Sequence, residues 1–125
     1  MDPSTRNLLY QRPELYELIY PEQDEATPQM CLRMFSRYVS IPPSSLLDIG
    51  CGTGRDLGVL SRYCNDCWGI DYLQENIDYA KETRPHLILI CGDMRSIRLE
   101  RTFDVIQCLG SVLMYALSNQ DVDAT

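Results

Sequence analysis

The chain is predicted to be an α/β protein with a doubly wound parallel sheet and a group of helices ahead of it. Three observations carry the prediction. From residue 44 onward, short apolar runs alternate with amphipathic stretches, the pattern of strand, crossover helix and strand. The runs are nearly continuous in apolar residues, as expected of strands covered on both faces. Before residue 44 the chain is instead punctuated by Pro3, Pro13, Pro21, Pro28 and the pair Pro42-Pro43, which favours short helices and turns. The expected division is a helical cap over residues 1–43 and a sheet-bearing core over residues 44–125.

Each element has its own warrant. Pro13 suits a first helical position, with Leu15, Leu18 and Ile19 on one side and Pro21 as the stop. Thr27-Pro28 reads as an N-cap and first residue of a second helix, whose Cys31, Met34, Phe35 and Tyr38 form one apolar stripe at i, i+3, i+4, i+7. Strands are predicted over residues 45–49, 67–70, 87–91 and 103–109. A helix with Leu57, Leu60 and Cys64 inward joins the first two. Another, with Leu73, Ile77 and Ala80 inward and Pro85 closing it, joins the second and third. The last connection, residues 92–102, is short and polar, with room for one helical turn.

Composition narrows the function classes. Eleven Lys plus Arg against 18 Asp plus Glu leave a net charge of −7, which repels phosphate backbones, so nucleic acid is excluded as the main partner. The longest uncharged run falls far short of the roughly 20 apolar residues of a membrane span. Residues 1–11 lack the apolar core of a secretory leader, so a cytoplasmic location is expected. There the six cysteines are expected as free thiols. The lone Cys64/Cys67 pair, with His86 as the single histidine, is too few ligands for zinc, and no metal is expected.

The strand at Leu46-Leu47-Asp48-Ile49 runs straight into Gly50-Cys51-Gly52-Thr53-Gly54 and then a helix. Glycines let a backbone turn sharply and approach a ligand closely, while the helix that follows offers free N–H groups. Such a loop lies at the carboxyl end of the first strand, where open α/β sheets bind ligands. Asp71 closes the second strand 21 residues after Gly50, a position suited to a ribose diol, since two adjacent hydroxyls can donate to one carboxylate. A dinucleotide fingerprint would need glycine at position 55, where the chain has Arg55, so a nicotinamide cofactor is disfavoured.

These residues resemble the class I S-adenosylmethionine (SAM) dependent methyltransferases, whose first motif is similar to Leu46 through Gly54. Trp68-Gly69-Ile70-Asp71-Tyr72 resembles the family's ribose motif, Cys91-Gly92-Asp93-Met94 its adenine motif, and the run from Phe103 to Leu109 its fourth strand. Leu15-Tyr16-Glu17-Leu18-Ile19-Tyr20 and the segment from Gly110 through Ser111 to Tyr115 are similar to enzymes that methylate small-molecule amines, including amino-sugar N-methyltransferases. The resemblance implies a Rossmann-like sheet in the order 3-2-1-4, truncated after the fourth strand of a family sheet that has seven. It implies SAM as cofactor and methyl transfer to a small-molecule acceptor, an amine. Asp48 and the turn of Gly50, Cys51, Gly52 and Gly54 would hold the methionine end, and Asp71 the ribose, with Tyr72 against the adenine. Asp93 and the Met94 backbone would meet the adenine edge, Leu109 and Gly110 would line the methionine side, and Tyr16 or Tyr20 would cover the cofactor. No catalytic base is implied.

Plainer roles stand beside these. Asp48 could be a helix-cap partner or a solvated strand end, and Asp93 could cap the turn after it. Tyr16 and Tyr20 could be core or rim residues, Cys51 a small packing residue, and His86 a surface one. An uncovered fourth strand would be an apolar edge that invites a second copy or a partner chain. The alternative function is therefore a non-catalytic methyltransferase-like module that pairs through that edge.

Overall fold

The computed structural model describes residues 8–110 and 112–125. The Pro3 breakpoint, residues 1–7 of the stretch read for a leader, and Ser111 of the segment after the fourth strand lie outside the described residues. Helices α1 (Leu8–Gln11), α2 (Pro13–Ile19) and α3 (Ala26–Tyr38) precede β1 (Ser45–Ile49). Then come α4 (Arg55–Leu60), β2 (Asp66–Asp71), α5 (Gln74–Thr83), β3 (Ile88–Cys91) and β4 (Val105–Cys108), followed by a 3-10 turn (Val112–Tyr115) and α6 (Asn119–Ala124). The four strands form one parallel sheet in the order β3-β2-β1-β4, as the sequence predicts. Among the described residues no helix is long and apolar enough to cross a membrane.

Register decides which side chains meet. Leu46 lies opposite Cys67 and Val105, and Asp48 opposite Gly69 and Gln107, so these residues share one face of the sheet. That face packs on Cys31 of α3, Leu57 and Leu60 of α4, and Ile77 and Ala80 of α5 in a single cluster. On the other face Ile106 is 60% exposed and Ile88 is also exposed. The expectation of cover on both faces is therefore corrected in part: Leu47 and Ile70 at the centre of this second face are buried, but the helical layer of α3, α4 and α5 lies on the first face, and Ile88 and Ile106 are left exposed.

The N-terminal helices depart from their predicted faces. In α2 Leu18 is 77% exposed and Ile19 is exposed, while Pro13 is buried and Glu17 half-buried. Glu17 turns inward because it pairs with Arg84 of the core. Thr27 does not cap α3; the helix starts one residue earlier, at Ala26, whose N–H is accepted by Asp24 Oδ1 at 3.2 Å. Pro28 then sits in the first turn, where no backbone N–H has a helical partner, so it breaks nothing. The buried side of α3 carries Pro28, Cys31, Leu32 and Phe35, leaving Met34 and Tyr38 exposed. Residues 92–102 hold only a hydrogen-bonded turn, with the Ser96 and Ile97 N–H groups on Asp93 O. All six cysteines are free thiols. His86, two residues before β3, meets the Ser61 hydroxyl at 3.0 Å.

Candidate functional site

At the carboxyl ends of β1, β2 and β4 the chain opens a cleft of about 820 Å³, within the usual range of small-molecule sites. Its floor is the turn after β1. The Gly50 and Cys51 N–H groups both donate to Ile70 O of β2, at 2.8 and 2.9 Å, which pins the turn to the neighbouring strand. Gly52 has φ +58°, a left-handed conformation that L side chains rarely adopt. A Cβ there would meet nothing within 4 Å, so the bare backbone faces open space. Its N–H donates to Asp71 Oδ2 at 2.9 Å. The other Asp71 oxygen accepts from the Leu73 N–H at 2.9 Å and the Asn76 amide at 3.4 Å, so the carboxylate is oriented at the tip of β2.

Asp48 is 3% exposed, and its Oδ1 has no hydrogen-bond partner among the described residues. Burial, joined by the nearby charges of Asp56 and Asp71, pushes its carboxyl up to about 8. The Gln107 amide, opposite in register on β4, offsets this only in part, and no hydrogen bond of good geometry joins the two. Both polar atoms of the Gln107 amide are likewise buried without partners. A buried carboxyl and a buried amide that satisfy neither each other nor a neighbour are costly unless a ligand completes them.

Of the residues singled out in the sequence, Tyr16, Tyr20, Asp48, Gly50, Cys51, Gly52, Asp71, Tyr72, Asp93, Met94, Leu109 and Gly110 all line the cleft. Gly54 does not line it: it is the N-cap of α4, turned toward Ala80 and Leu87. The Tyr16 and Tyr20 rings lie 5.0 Å apart, and burial raises the Tyr16 hydroxyl. Asp93 caps its own turn through the Arg95 N–H at 2.9 Å and grips the Arg95 guanidinium, which holds its carboxyl down at about 2. Cys51 packs on Gly69, and burial pushes its thiol well up, so it is no nucleophile at neutral pH.

Sequence reasoning missed several lining residues, Asn76, Tyr10 and Tyr115 among them, and the buried Gln107 opposite Asp48 in register. Gln107 was detectable as the one uncharged polar side chain in the apolar run from Phe103 to Leu109. Asn76 offered no signal beyond its closeness to Asp71. Tyr10 and Tyr115, whose hydroxyls meet at 2.7 Å across the cleft, are 105 residues apart and become neighbours only through the fold.

The fit to SAM is tested by two features of this site. SAM carries an ammonium and a sulfonium, and the orphaned Asp48 carboxyl is a group that a cation would complete. The open space over Gly52, beside the oriented Asp71 carboxylate, admits a ribose. The residues present fit the group.

Residues 46–125 match the methyltransferase domain family, and the chain belongs to it. It is 28% identical over 113 residues to the dTDP-3-amino-3,4,6-trideoxy-alpha-D-glucopyranose N,N-dimethyltransferase of Streptomyces venezuelae, covering 89% of this chain and 48% of that protein. It is 29% identical to the dTDP-3-amino-3,6-dideoxy-alpha-D-glucopyranose N,N-dimethyltransferase of Streptomyces fradiae, covering 89% and 44%. Among solved structures, Streptomyces venezuelae DesVI superposes with a TM-score of 0.79 at 26% identity, over 90% of this chain and 48% of that one. SAM-bound CalS10, an amino pentose methyltransferase from Micromonospora echinaspora, gives 0.76 at 25% identity, over 88% and 48%. The chain thus spans about half the length of the curated relatives it matches.

Proposed function

We propose that this chain supplies the SAM-binding half of an enzyme that methylates an amine of a small molecule, an amino sugar being the acceptor class its relatives suggest. The observation that carries the reading is the pairing, in one cleft, of the unpartnered Asp48 carboxyl with the open backbone at Gly52 beside Asp71. Bound there, SAM supplies an electrophilic methyl group on a sulfonium. Asp48, with Gln107 opposite it in register, would meet the ammonium, and the Gly50 and Gly52 backbone, Leu109 and Gly110 the rest of the methionine end. Asp71 would accept from both ribose hydroxyls. Tyr72 would lie against the adenine, with Asp93 and the Met94 N–H at its edge. The cap of residues 1–43 would cover the cofactor through Tyr16 and Tyr20 and exclude water. In-line alignment of acceptor, methyl and sulfur is the main contribution of the protein to such a transfer, worth up to several kcal/mol. A neutral amine already carries the lone pair it needs, so no base is assigned.

The competing reading is a non-catalytic module that pairs with a second copy or a partner chain along β4, and the exposure of Ile106 favours it. One experiment separates them. Thermal-shift assays with SAM, S-adenosylhomocysteine (SAH) and NAD are followed by transfer of labelled methyl from SAM to a panel of amino sugars. Stabilisation by SAM and SAH with labelled product supports the enzyme. Stabilisation by NAD alone, or by none of the three, rejects it, and SAM binding without product by a chain that self-associates selects the module.

A further inference from the structure

Arg84, at the C-terminal end of α5, is a buried cation whose side chain is 6% exposed, and it does not line the cleft. It lies behind the cleft and touches three segments that build it. Its Nη1 sits 2.8 Å from Glu17 of α2 and donates at 3.1 Å to the carbonyl of Thr53, inside the glycine turn. Its Nη2 lies 3.4 Å from Glu22, next to Pro21, whose carbonyl accepts from Arg55 of the cleft wall. Glu17 also accepts from the Tyr79 hydroxyl at 3.2 Å, which ties the pair back to α5. The guanidinium passes beneath α4 because position 58 is glycine: a Cβ there would come within 2.9 Å of Arg84 Cδ and Nε.

Glu17 is the neighbour of Tyr16, and Thr53 is the neighbour of Gly52. We infer that Arg84 is a positioning residue that couples the helix covering the cleft to the turn forming its floor, so that SAM affinity depends on a side chain that SAM never touches. This rests on the SAM-binding reading above. A lysine reproduces the arrangement only in part, because its single nitrogen cannot stand both where Nη1 meets Glu17 and Thr53 and where Nη2 faces Glu22. Coupling of this kind is reciprocal: a ligand that orders the turn must also tighten α2.

The test uses the full chain with Arg84→Met, Arg84→Lys, Glu17→Gln and the Glu17→Gln/Arg84→Met double variant. Two quantities are read: SAH affinity by calorimetry, and the factor by which SAH slows Glu-specific proteolysis after Glu14, at the exposed start of α2. Arg84→Met and Glu17→Gln are each expected to weaken SAH by about tenfold. The double variant is expected to do little more than either, and Arg84→Lys to fall between. SAH slows cleavage severalfold in the wild type and loses that protection in Glu17→Gln, which keeps a hydrogen-bonding amide and so tests the inference even where Arg84→Met fails to fold. A purely structural role would lower thermal stability while leaving affinity and the protection factor at wild-type values, and that result overturns the inference alone. A wild-type chain that takes up no SAH overturns the SAM-binding reading and this inference with it.

Discussion

Replacing Asp48 by asparagine tests the charge logic of the cleft. The carboxyl is 3% exposed and its proton is held up to about 8, against an ordinary value of 3.8. Between those two values the unfolded chain has released the proton and the folded chain has kept it. The folded state therefore loses stability as pH rises, by about 1.4 kcal/mol per pH unit, and the loss levels off above pH 8. Asparagine has nearly the same shape and never ionises. Urea unfolding of both proteins from pH 5 to pH 9 should show Asp48→Asn gaining on the wild type at about that slope up to pH 8 and holding constant beyond it. SAH binding should behave in the opposite sense. Its ammonium favours the ionised carboxylate, so wild-type affinity climbs by up to about tenfold per pH unit toward pH 8, and a proton is released on binding. The variant lacks that climb and binds more weakly at pH 8. Parallel stability curves for the two proteins, or an unchanged climb in the variant, would refute the reasoning.

Asp71→Ala removes a carboxylate assigned to two ribose hydroxyls and leaves the Gly52 N–H without its acceptor. Calorimetry should show SAH binding weakened about a hundredfold, equivalent to about 3 kcal/mol of charge-assisted hydrogen bonds. Gly52→Ala places a methyl in open space at φ +58°, so chemical denaturation should register only the backbone strain, about 1–2 kcal/mol, while SAH binding falls by much more. Leu57→Ala, at a side chain with no exposed surface, should cost about 3–5 kcal/mol in urea unfolding, a large share of the stability of a domain this size.

The core of the fold was legible because its signals are local. The apolar run over residues 45–49 became β1 with both ends as predicted, and 67–70 became β2 with one further residue at each end. The fourth run was read too long. Phe103 packs edge-on against Trp68 under the Arg101 guanidinium, and Asp104 accepts from Ser44 and Ser45. Leu109 leads out of the sheet into left-handed Gly110. Apolar content marks burial, but the ladder ends where other partners take over. The N-terminal helices were misread for a related reason: periodicity assigned Leu18 and Ile19 to the inside, whereas a long-range ion pair with Arg84 turned Glu17 there instead. Twelve of the thirteen cleft candidates were brought to one cavity because motif order encodes strand order. Tyr10, Tyr115 and Arg84 depend on contacts between distant segments, which no window along the chain contains.

The central claim is that the turn after β1 and the carboxylate at the tip of β2 together hold an adenosyl sulfonium or its product. Crystals of the chain grown with SAH test it most directly. The account predicts density along the cleft, with the ribose hydroxyls on Asp71 and the ammonium on Asp48. An empty cleft at saturating SAH, or SAH bound anywhere else on the chain, would contradict it.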